Sequence, residues 1–164
     1  MRSTTGIIAS VTVWTAFATT VAAGPVVNVT VSSTEDVLGI GQTRTFSVLA
    51  SVADPAGSLD GIFSYDINVN FSVPGVVGIV PGSTIQPDAD VLSPGVISST
   101  GLSACYGVHF YPQSSGINSP RELVRFSLDG MATGSAAVGV CPDATIGDDF
   151  VLQMSTPVPS SSGR

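Results

Sequence analysis

The chain of 164 residues carries five basic residues, all of them Arg, against twelve acidic ones; its net charge is −7, with only 10% of residues charged and 43% hydrophobic. Absent Lys and dispersed Arg44, Arg121 and Arg125 exclude the basic clusters that nucleic acid and anionic lipid demand, and the apolar content excludes a disordered chain. Thr, Val, Ser and Gly dominate while Glu is rare, which favours strands over long helices.

In chain order, Arg2 followed by the uncharged stretch Gly6 to Val21 and the small residues Val21-Ala22-Ala23 reads as a secretion signal cleaved after Ala23. The expected organisation is a signal peptide over 1–23, one domain over 24–155 and a Pro/Ser-rich tail over 156–164. The protein is thus expected outside the cell or at its surface, with no membrane insertion after cleavage.

Nine strands are expected. Val27, Val29 and Val31 alternate with Asn28 and Thr30, and Phe46, Val48, Ala50 and Val52 alternate with Ser47 and Ser51. After the turn Asp54-Pro55-Ala56-Gly57 comes the longest alternation, Leu59 to Phe71. Its odd residues, Leu59, Phe63, Tyr65, Ile67, Val69 and Phe71, are expected inside. Its even face, Asp60, Ser64, Asp66, Asn68 and Asn70, is the candidate binding surface. Further strands follow at Val76 to Val80, at Val91 to Ser98 with Pro94-Gly95 inside it, at Ala104 to Tyr111 and at Val124 to Leu128. Ala136 to Cys141 and Phe150 to Met154 complete the set. Short strands punctuated by Gly and Pro predict an all-β, two-sheet antiparallel sandwich of jelly-roll or immunoglobulin-like type.

Cys105 and Cys141, the two cysteines of an exported chain, are expected to pair. His109 is the one histidine, and in the strand context GVHFY it reads as a structural or surface imidazole rather than a catalytic base, since no nucleophile elbow or acidic orienter accompanies it. Asp88 and Asp90 read as solvated loop acids; Asp143, Asp148 and Asp149 are the weak candidates for a Ca²⁺ site, without EF-hand spacing. Asn28-Val29-Thr30 and Asn70-Phe71-Ser72 are sequons. Tyr106, Phe110 and Tyr111 are the candidates for a sugar-stacking platform, but Tyr111 projects opposite to Tyr106 and Phe110, and core packing is the favoured reading for these rings.

The strand Val27 to Ser33, the segment GIGQTRTFSVLASV, the opening Gly61-Ile62-Phe63, the segment VGIVPGS, the ladder LVRFSLDGMATGSAAVGV and the terminal FVLQM together resemble the cohesin family and related carbohydrate-binding-module-like sandwiches of exported bacterial proteins. The resemblance implies a nine-stranded, non-catalytic jelly roll that in cohesins holds a small helical dockerin on one sheet face. Where that family reads Tyr-Asp-Pro, this chain has Val69-Asn70-Phe71. A protein partner is therefore the leading expectation, direct polysaccharide binding the alternative and a secreted hydrolase a remote third.

Overall fold

A computed structural model describes residues 7–8, 25–33, 37–53, 59–87, 89–110, 116–117, 119–142 and 150–154. The strands are β1 (Ile7–Ile8), β2 (Val26–Ser33), β3 (Val37–Leu38), β4 (Thr43–Ala53), β5 (Leu59–Phe71), β6 (Val77–Ile79), β7 (Val91–Ser98), β8 (Gly101–Val108), β9 (Arg121–Gly130), β10 (Val138–Pro142) and β11 (Phe150–Met154). The nine expected strands are all present, joined by the two-residue pair β1–β3. The expected signal segment otherwise lies outside the described residues, as does the tail 156–164. No helix among the described residues is long and apolar enough to cross a membrane.

Two antiparallel sheets carry the fold. One has the order β2-β4-β9-β6; the other has β10-β5-β8-β7, with β11 also on β5. β10 pairs with Ile67–Phe71 and β11 with Leu59–Tyr65, so the two follow each other along one side of β5 while β8 occupies the other side. The chain passes from sheet to sheet at the β4–β5, β5–β6, β6–β7, β8–β9 and β9–β10 connections.

The inner faces follow from the pleat. On β4, Phe46, Val48, Ala50 and Val52 are buried, and their cross-strand neighbours Val27, Val29 and Val31 pack against the same core. Phe46 pairs with Phe126 of β9, their rings stacked at 6.1 Å. Tyr65, Ile67, Val69 and Phe71 complete the layer from the opposite sheet.

The alternation of β5 breaks before Tyr65, and here the expected core is corrected. Ile62 is fully buried while Phe63 is only half-buried. The register against β11 slips between Val151 and Leu152 and again between Gln153 and Met154, leaving Phe63 and Asp60 as extra residues on β5. Each bulge advances the pleat by one residue. Leu59, Ile62 and Tyr65 consequently face inward at intervals of three.

The expected Cys105–Cys141 disulfide is not formed: Cys105 is a free, buried thiol. Cys105 sits on β8 opposite Ile67, and Cys141 on β10 opposite Asn68, so β5 runs between them. Two inter-strand spacings amount to roughly 9 to 10 Å, beyond the Cα separation of about 7 Å that a disulfide spans.

Burial pushes the Cys105 thiol up to about 12, and the nearby Asp66 charge adds to the shift. The thiolate is the reactive species, so Cys105 is expected to resist alkylation in the native protein and to react once the chain is unfolded, as read by intact mass. The same shift sets an alkaline limit. Above about pH 8.5 the unfolded chain releases the thiol proton while the fold retains it. The folded state then binds more protons, and stability falls as pH rises toward 12, at up to about 1.4 kcal/mol per pH unit for this group. Urea unfolding at alkaline pH should show a shallower decline in Cys105→Ala than in the wild type, and equal slopes would refute the assignment.

Candidate functional site

The outer face of the five-stranded sheet is where the sequence places a binding surface, and the structure distributes its five candidates unevenly. Asp66 lies in the central row between Tyr106 on β8 and the β10–β11 side, and is only 6% exposed. Ser64 is half-buried beside Val108, and Asn70 is exposed opposite Gly101. Asp60 falls on a bulge, and its side chain lies outside the described residues. Asn68 serves the backbone: its Oδ1 accepts the N–H of Ala104 at 2.9 Å. Ala104 has φ 53° in the left-handed region, at the point where β8 holds an extra residue against β5. The Asn68 side chain therefore supplies an acceptor at a break in the ladder. The five residues do not form one open polar stripe.

The most concentrated polar chemistry is internal. The Tyr65 hydroxyl donates to the carbonyl of Leu123 across the sandwich at 2.8 Å. Leu123 is the extra residue where β9 slips against β4, with both Leu123 and Val124 buried. Gln86 Nε2 donates to the Tyr65 oxygen at 3.2 Å and to the Tyr106 carbonyl at 2.6 Å. Gly107, directly opposite Tyr65, leaves room for the ring: a Cβ there would stand 2.5 Å from the phenol oxygen. Burial raises the Tyr65 pKa well above its ordinary value, so the phenol stays a neutral donor.

His109 borders this cluster at 1% exposure, its ring 5.9 Å from that of Tyr65. Its backbone N–H donates to the Phe63 carbonyl at 2.7 Å, extending the sheet contact beyond β8. Arg121 Nη2 lies 2.9 Å from Nδ1; a guanidinium can only donate, which makes Nδ1 the acceptor of a neutral imidazole. The imidazole is held between the Tyr65 ring and the Arg121 guanidinium, with almost no contact with solvent.

The remaining candidates contribute single contacts. Asp90 Oδ2 accepts the N–H of Phe110 at 2.7 Å. Asp88, Tyr111, Asp143, Asp148 and Asp149 lie outside the described residues. Among the described residues no group of three His, Cys, Asp or Glu side chains is arranged to hold a metal ion. Glu122 is occupied on the far face of the other sheet: Arg125 and Ser47 donate to it and hold its carboxyl below the ordinary value.

Reading β5 alone misses the open part of the sheet, which is the β7–β8 hairpin. Val91, Ser93, Val96 and Ser98 of β7 share the outer face with Val108, Tyr106, Ser103 and the row of Asp66. The signal was Pro94, because a proline within an apolar run marks an edge strand.

Replacing Tyr65 by Phe leaves the buried Leu123 carbonyl and Gln86 without the phenol. The variant is expected to lose about 1 to 3 kcal/mol in urea unfolding; unchanged stability would show that the inter-sheet hydrogen bond contributes nothing. Comparison with protein-family models, with curated proteins and with solved structures found no match to this chain.

Proposed function

We propose that the chain is an exported, non-catalytic binding module, cohesin-like in form, that holds a protein partner outside the cell on the outer face of its five-stranded sheet. The observation that carries this reading is the character of that face on β7 and β8. In a chain of net charge −7, residues 91–108 contain no charged side chain. Their outward row mixes Val91, Val96 and Val108 with Ser93, Ser98, Ser103 and the half-buried Tyr106. Charge depletion around an aromatic is the composition of an interface core. The buried, Arg-flanked setting of His109 favours binding over hydrolysis.

A second reading, direct polysaccharide binding aided by Ca²⁺, draws on Phe110, a residue 52% exposed whose N–H donates to Asp90. The two readings part in one experiment. Immobilised protein lacking residues 1–23 is offered secreted proteins of the producing organism, and the same protein is run through polysaccharide-containing native gels with and without Ca²⁺. The protein-binding reading expects a protein retained by wild type and lost with Tyr106→Arg, without retardation in the gels. Retardation lost in Phe110→Ala would instead favour the polysaccharide. The intact mass of the exported protein is expected to lack residues 1–23.

A further inference from the structure

Of the four asparagines in the chain, Asn28 and Asn70 begin the triplets Asn28-Val29-Thr30 and Asn70-Phe71-Ser72, each with a hydroxyl residue two positions on and no proline between. The proposed binding role uses neither triplet, and the two sit differently in the fold. Ser72 is tied into the structure: its Oγ accepts the N–H of Ala137 at 2.8 Å, and its own N–H donates to the Ala137 carbonyl at 3.0 Å. Asn70 lies inside a sheet, between Gly101 of β8 and Gly139 of β10. A substituent there has strands on both flanks.

Asn28 has the opposite setting. Among the described residues β2 is the end strand of its sheet, with β4 on one side only. Val27, Val29 and Val31 pack against the core, so the pleat turns Asn28 and Thr30 outward together, and both are exposed. On one face of a strand they follow each other at roughly 7 Å, amide beside hydroxyl. The cross-strand neighbour of Asn28 is Ser51, a short side chain that leaves space above it.

We infer that Asn28 is an N-glycosylation site and that the exported protein carries one oligosaccharide there. The donor is a lipid-pyrophosphate-linked oligosaccharide. Asn28 Nδ2 forms a bond to the anomeric carbon and gives up one proton; the bond from that carbon to the pyrophosphate oxygen breaks, and the lipid pyrophosphate leaves with the electron pair. The sugar projects from the outer face of the four-stranded sheet, away from the β7–β8 face proposed for the partner, so both can be occupied at once. It also stands over an end strand whose residues 26–33 carry no charge, where a bulky hydrophilic group hinders pairing with another chain.

This inference rests on the export reading and not on the partner. The test is the intact mass and peptide map of the protein exported by the producing organism, before and after treatment with a peptide-N-glycosidase. The mass of residues 24–164 plus one oligosaccharide is expected, with Asn28 converted to aspartate on release. Asn28→Gln and Thr30→Ala are expected to lose the added mass completely. Thr30→Ser, which keeps the hydroxyl, is expected to retain it, and Ser72→Ala to leave it unchanged. An exported wild type of unmodified mass, a sugar at Asn70 in place of Asn28, or added mass that survives Thr30→Ala would each overturn the inference while leaving export intact. A protein kept in the cell with residues 1–23 attached would overturn the export reading along with it.

Discussion

The hydrogen bond from Tyr65 to the Leu123 carbonyl is the constraint around which the two sheets are arranged. Sheets in a sandwich are held mainly by undirected apolar contact, which tolerates sliding; a buried donor and acceptor do not, because separating them strands both in a dry interior. The bond also couples irregularities on two strands. The bulge at Leu123 lies on one sheet, while the bulges at Asp60 and Phe63 on the other bring Leu59, Ile62 and Tyr65 inward together. Gly107 leaves space for the ring, and Gln86 ties the phenol to the backbone of β8. Substitution of any one of these positions is felt by the others, so their energetic effects should not add.

Polar groups near the centre of the molecule are thus committed to architecture. Asn68 supplies an acceptor to the N–H of Ala104, His109 and Arg121 face each other, and Gln86 joins the Tyr65 phenol to the Tyr106 carbonyl. The β7–β8 hairpin, residues 91–108, carries no charge of its own in a chain of net charge −7.

The sandwich was legible because alternation over β4, β5 and β9 persists through enough residues to define one wet and one dry face. Less legible were the slips. Nothing in LDGIFSYDINVNF distinguishes Ile62 from Phe63 as the inward residue, since both are apolar and the choice is made by the register of β11 across the sheet. The disulfide failed for a related reason: an even cysteine count says nothing about β5 lying between β8 and β10. Asn68 resembled its polar neighbours in sequence, and its distinct duty arises from a bulge on another strand. The context GVHFY left a buried and a surface imidazole equally open, and burial of His109 at 1% exposure follows from its place at the end of β8 beside Tyr65; the exposure of β7 required knowing that it is an edge.

The turn at Ser99-Thr100 carries a consequence for how the molecule is made. β7 and β8 are joined by these two residues, and the Ser98 hydroxyl accepts the Thr100 N–H and lies 2.9 Å from its hydroxyl. Other ladders, such as β5–β10 and β4–β9, join strands separated by much of the chain. A short hairpin closes in about 1 to 10 μs, while long-range β pairing waits on loop closure. The β7–β8 ladder therefore needs less loop closure than the ladders that shelter its inner row, and its apolar side chains gain order locally at a smaller entropic cost than theirs.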